Sequence, residues 1–224
     1  MHLVFALLLC SLGTAAQAQN PGPIVFSELM WMGSSASSSD EWIELYNRSD
    51  AQVDLVNWTI VRLTKDGEEV MLQIQEGEIP AHATFLISNY SSDDSRSRLA
   101  VQPQLVDPAI SLPNTKLQLR LYNGDPEKGA KLIDTADDGS GAPLAGDNKL
   151  KRAMVRIAID QDGSLSTSWS TAQEAIGWDE EAVERGTPGS VPDHLQTHRT
   201  MEHSATTQVR PMAWAIIKSN MANR

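Results

Sequence analysis

Two glutamates are the first residues whose type and placing could do chemistry. Glu28 interrupts the apolar run 24–31, and Glu44 sits in the run 41–47. Glycosidic hydrolysis uses two carboxyl groups that face a substrate across a fixed gap. A hydrolase of an extracellular polymer therefore predicts a concave pocket where two or more of Glu28, Glu44, Asp134 and Asp147 converge. If Glu28 is buried instead, it needs a partner, either Arg156 or backbone amides at a strand end. Asp134, Asp137, Asp138 and Asp147 frame an acidic, glycine-rich stretch that could gather calcium, because hard cations take several carboxylates on a flexible loop. Asp160-Gln161-Asp162-Gly163 copies part of a calcium loop but lacks an acid at the bidentate position. His194, His198 and His203 are spaced as in a zinc site, with no fourth ligand beside them. His82 is the one histidine within the strand-rich segment, and the single cysteine, Cys10, lies in the N-terminal apolar run, so no nucleophilic triad can be drawn. Gly139-Ser140-Gly141 lacks the strand–helix frame and the lysine of a phosphate loop. These residues make no catalytic constellation and call for no cofactor. The expectation is a chain that is not an enzyme, with calcium as the sole cofactor worth testing.

The elements that must position these residues read as strands. Apolar and polar residues alternate in 43–45, 70–74, 117–122 and 155–159, and turn signals such as Lys65-Asp66-Gly67 and Asn123-Gly124-Asp125 separate the runs. Almost nothing shows a 3.6-residue period, so the class is all-β, a sandwich or barrel. Residues 89–113 are polar and irregular, with a short edge strand expected near 99–101. Val155, Ile157 and Ile159 make the last clear strand. Asn47-Arg48-Ser49-Asp50 reads as a turn whose short side chains bond nearby backbone. Asn47-Arg48-Ser49, Asn57-Trp58-Thr59 and Asn89-Tyr90-Ser91 also match the glycan-acceptor pattern.

The 224 residues carry a formal charge of −11, from 29 acidic and 18 basic residues. Acidity of this size opposes binding to phosphate backbones, unless Arg62, Lys65, Arg120, Lys149, Lys151 and Arg152 gather on one face. The apolar run 3–12, the small residues of Ala16-Gln17-Ala18 and the break at Asn20-Pro21 read as a signal peptide cleaved after Ala18. No run is long enough for a mature transmembrane helix. The expected location is secreted, periplasmic or at the cell surface. Residues 191–224 read as a tail, partly disordered or a short helix.

Several stretches together resemble the lamin tail domain, in the form carried by bacterial exported proteins. They are Ile24-Val25-Phe26-Ser27-Glu28-Leu29-Met30; Asp40-Glu41-Trp42-Ile43-Glu44-Leu45-Tyr46-Asn47 with Val53-Asp54-Leu55 and Asn57-Trp58-Thr59-Ile60; Ile79-Pro80-Ala81; residues 117–121 with Asn123-Gly124 and Lys131-Leu132-Ile133-Asp134; and Arg156, Asp162-Gly163-Ser164, Trp169-Ser170 and Thr187-Pro188-Gly189. The insertion 91–113 departs from that pattern. The resemblance implies an immunoglobulin-like β-sandwich over residues 19–190, between a signal peptide (1–18) and a C-terminal tail (191–224). It also implies binding or scaffolding, with a protein or an extracellular polymer as partner. Some relatives contact DNA, which keeps nucleic acid as an alternative. Trp31, Trp42 and Tyr46, beside the serine-rich loop 33–40, are the expected contact surface, with a lid over a second core as the other role for Trp42 and Tyr46. Thr187-Pro188-Gly189 is expected to end the domain and to be no site.

Overall fold

The computed structural model describes residues 20–191. The expected signal peptide 1–18, His194, His198 and His203, and the expected tail beyond Val191 lie outside the described residues. The described residues form twelve strands: β1 (Ile24–Met30), β2 (Trp42–Asn47), β3 (Val53–Asp54), β4 (Thr59–Thr64), β5 (Gly67–Gln73), β6 (Glu78–Ile79), β7 (Thr84–Ser88), β8 (Leu105–Val106), β9 (Leu119–Tyr122), β10 (Leu132–Ala136), β11 (Met154–Arg156) and β12 (Trp169–Thr171). One sheet runs β12-β11-β1-β2-β7-β8, a second runs β10-β9-β4-β5, and β3 pairs with β6. The arrangement is that of an immunoglobulin-like β-sandwich. No helix among the described residues is long and apolar enough to cross a membrane.

Strand placement follows the sequence pattern with three shifts. The run 53–63 divides into β3 and β4. The strand at 155–159 stops at Arg156, Ile157 is exposed, and β12 follows it as a further strand. The expected edge strand near 99–101 is a lone bridge from Leu99 to Trp178, and β8 supplies the edge instead.

The two large sheets are buried to different depths. In β9 buried and half-buried residues alternate, and the first four residues of β5 are exposed. That is a sheet with one wet face. In β1 and β2 every residue is buried. Period-2 alternation puts neighbouring side chains on opposite faces, so both faces of this sheet are covered. One face meets the second sheet through Phe26, Leu29, Ile43 and Leu45, which share a core with Ile60, Leu119 and Leu121. The other face lies under a segment that runs from 174 to 191.

Candidate functional site

That second face holds the charged groups, and a bulge at Ser27 puts them there. Phe26 pairs with Leu45, but the next pair is Glu28 with Glu44, so Ser27 is an extra residue in β1. An unbroken alternation would point Phe26 and Glu28 the same way. The bulge leaves Phe26 in the sandwich interior and turns Glu28 to the far face, directly across from Glu44.

Both glutamates are 0% exposed. Thr187 donates to Glu28 twice, from its backbone N–H at 3.0 Å to Oε1 and from its hydroxyl at 2.7 Å to Oε2. The N–H of Gly189 donates to Glu44 Oε2 at 2.7 Å, and the Ser27 hydroxyl donates to Oε1 at 3.1 Å. Burial pushes the Glu28 carboxyl up to about 7, against the Thr187 hydrogen bonds, and Glu174 pushes in the same direction. Burial raises Glu44 well above its ordinary value, and the Glu28 charge adds to it. Among the described residues neither carboxylate forms an ion pair. Two acids opposed across a strand pair without a cation cannot both ionise cheaply, so burial and their mutual repulsion favour the neutral form of at least one.

The covering segment approaches closely enough to exclude side chains. A methyl group on Gly186 would stand 2.5 Å from Glu28 Oε1 and 3.2 Å from Trp178 Cζ2. Thr187-Pro188-Gly189, expected to be a mere terminator, is therefore the strap that satisfies both carboxylates.

The expected contact surface is corrected by burial. Trp31, Trp42 and Tyr46 are 5%, 0% and 3% exposed. Trp42 packs against Trp178 with ring centroids 5.9 Å apart. Tyr46 packs with Val25 under Ile159 and Val191. Trp31 donates its indole N–H to the Ala145 carbonyl at 2.9 Å. Trp42 and Tyr46 are in a second packed layer but are not its lid, because residues 174–191 fold back over that face and cover them.

A second charged cluster joins the two sheets. Asp134 on β10 and Arg156 on β11 form a buried ion pair at 3.3 Å. Arg156, not paired with Glu28 as considered above, also donates to the carbonyls of Ala158 and Gln161 and lies 4.9 Å from the Trp169 ring centre. Asp134 Oδ2 accepts the Phe26 N–H at 2.9 Å, just where β1 runs past the end of its pairing with β11. Burial outweighs the arginine and raises the Asp134 carboxyl to about 6. Gly163 completes the cluster, since any Cβ there would collide with the Thr135 carbonyl and the guanidinium of Arg156.

The four aspartates considered for calcium are engaged separately. Asp134 is in the ion pair, Asp137 accepts the N–H groups of Asp138, Gly139 and Leu144, Asp138 accepts from Ser140, and Asp147 accepts from Leu150. Among the described residues no group of three or more potential metal ligands is present. In the other candidate loop, Asp160 pairs with Arg48 and Asp162 accepts from Ser164.

Of the four acids named for a hydrolase, the fold brings Glu28 and Glu44 together, but under a seal, and it leaves Asp134 and Asp147 elsewhere. The six cations considered for nucleic acid also divide. Arg62 and Arg120 lie on the second sheet against Glu69 and Glu68, whereas Lys151 holds the Met32 carbonyl and Arg152 meets Gln173. Asn47 is buried and donates to the carbonyls of Ala51, Ile79 and Pro80, so its acceptor pattern is a structural turn.

Sequence reasoning missed an open groove of about 500 Å³ at the insertion, lined by Ser39, Asn89, Tyr90, Ser91, Asp94 and Arg96 among others. The Arg96 guanidinium lies 4.0 Å over the Tyr90 ring and pairs with Asp94 at 2.7 Å. That ion pair holds the Asp94 carboxyl down at about 2. Tyr90 beside Arg96, within a polar stretch too long for a turn, was the available signal.

A profile of the lamin tail domain matches residues 17–141, more than half of the chain. No curated protein matches significantly. The matched span ends before β11, β12 and the strap, so residues beyond it complete the sheet that houses Glu28. Domains of this kind are immunoglobulin-like and generally serve as non-catalytic binding modules. With its sandwich of strands and this match across more than half of its length, the chain belongs to the lamin tail domain family.

Proposed function

We propose that this chain is an exported, non-catalytic binding module that recognises a protein or an extracellular polymer at or outside the cell surface. The observation that carries this reading is the groove at residues 89–108, built from the insertion that departs from the family pattern. It is open, lined by both polar and apolar groups, and includes the stacked Tyr90–Arg96 pair. An arginine stacked on an aromatic ring gives a rigid platform that loses little side-chain freedom on binding. The deeply buried carboxylates support binding over catalysis, because substrate cannot reach them while the strap is closed. Export rests on residues 1–18 and fits the strongly acidic, cysteine-poor domain that follows.

The test is capture from native cell-surface material by immobilised domain. Wild type should retain a specific partner, and Tyr90→Ala with Arg96→Ala should lose most of it while the circular dichroism spectrum stays β. Equal capture by the double variant would move the contact away from the groove. A reporter fused behind residues 1–18 that stays inside the cell would remove export from the reading.

A further inference from the structure

The strap is held unevenly along its length. Its upstream part is tied to two neighbouring segments by backbone hydrogen bonds: Ala153 N–H to the Arg185 carbonyl and Arg185 N–H to Lys151, and likewise Ala100 to Gly177 and Asp179 to Arg98. Arg98 adds ion pairs to Asp179 and Glu181. From Thr187 onward the anchors change in kind. Thr187 and Gly189 donate their backbone N–H groups to Glu28 and Glu44. Val191 packs on the Val25–Tyr46 pair. Two ties of the last turn to the sheet thus run through acids.

We propose that the Glu28–Glu44 pair is a proton-held latch, in which loss of a proton from the pair releases residues 187–191 and uncovers Val25 and Tyr46. The donors facing the pair favour the ionised form of both carboxyls, and burial outweighs them. Ser27 on β1, Thr84 on β7 and Thr187 on the strap offer hydroxyls. Val155 on β11 lies opposite Glu28, and Leu86 on β7 lies opposite Glu44, and both are apolar. The charged group outside the pair that acts on it is Glu174, which is also negative. Two ionised carboxylates in this setting repel each other with no cation to answer them, and water can reach them only if the strap lifts. The upstream ties stay in place, so the opening is local and does not require the sandwich to unfold.

Amide hydrogen exchange at Thr187 and Gly189, corrected for intrinsic rates, reads the latch directly. If opening releases one proton, the opening constant should rise about tenfold per pH unit between the ordinary glutamate titration near 4.5 and the raised titration of the closed pair, and level off above it. Amides of β4 and β9 should show no such slope. Glu28→Gln with Glu44→Gln should abolish it, whereas Thr187→Val should weaken protection at every pH and keep the slope. Protection that stays flat to pH 9 in the wild type, or the same slope in the double variant, would overturn the latch. Should the double variant fail to fold, carbon-detected titration of the wild-type side chains decides: both carboxyls titrating near 4.5 overturns it, and a raised titration that coincides with the loss of protection supports it.

Discussion

The buried acids of this domain are neutralised in two ways, and the contrast explains how the fold should respond to pH. Asp134 faces Arg156, with backbone groups filling the remaining positions of both. Glu28 and Glu44 face each other and a strap of amides and hydroxyls. A cation as partner works at any ordinary pH. A proton as partner works only below the titration of the pair. The ion pair is thus a fixed joint between the sheets, and the glutamate pair is a conditional one.

Removing the cation breaks the contrast most severely. Arg156→Met should cost about 3–5 kcal/mol in urea denaturation at pH 8, because Asp134 is left buried and unpaired. The same variant at pH 5 should lose less, since Asp134 can then take a proton and behave like the glutamates. An equal loss at both values would mean that the ion pair does not carry this charge.

The next largest effect is in the wild type. Glu28 titrates at about 7 in the folded chain against 4.5 ordinarily, so the folded state binds the proton more tightly. Its contribution is fully present below about 4.5 and is lost as pH rises through about 7. Glu41, which accepts the Leu112 N–H, is also raised by burial to about 7 and acts in the same direction. Stability should therefore fall by a few kcal/mol between pH 5 and pH 8, as read by thermal melts across that range. A rise over the same interval would contradict the protonated state of the pair.

Smaller changes sharpen the comparison. Thr187→Val deletes one hydroxyl from Glu28 and should cost about 1–2 kcal/mol, measured at pH 5 where the latch is closed. Arg96→Ala sits on the groove, away from both clusters, and its exposed ion pair with Asp94 should be worth less than about 0.5 kcal/mol in a thermal melt. A large loss from Arg96→Ala would make the groove part of the framework and no free surface.

The strands were legible because alternation and turn residues are local. Leu117, Leu119 and Leu121 announce their sheet without help from the rest of the chain. The turn at Asn47 was legible for the same reason, and Asn47 Oδ1 does accept the Ser49 N–H. The need of a buried Glu28 for a partner could also be read, since an acid within an apolar strand demands one. The identity of that partner could not. It comes from Thr187, 159 positions away, and it depends on a bulge at Ser27 that no pattern in 24–30 reveals. The burial of Trp42 and Tyr46 was hidden in the same way. On β2 they alternate with Ile43 and Leu45 as an outward face should, and only the return of residues 174–191 turns that face inward. Signals that need one strand were visible, and those that need a third layer were not.

The position of β1 has a consequence for the order in which the molecule can assemble. The first strand is flanked by β2 and by β11, its Phe26 N–H waits for Asp134, and its Glu28 waits for Thr187. A growing chain cannot finish its central sheet until nearly the whole domain has been synthesised. Native topologies with such distant pairings are slow to form. A polypeptide that cannot close prematurely stays open until its last strands arrive.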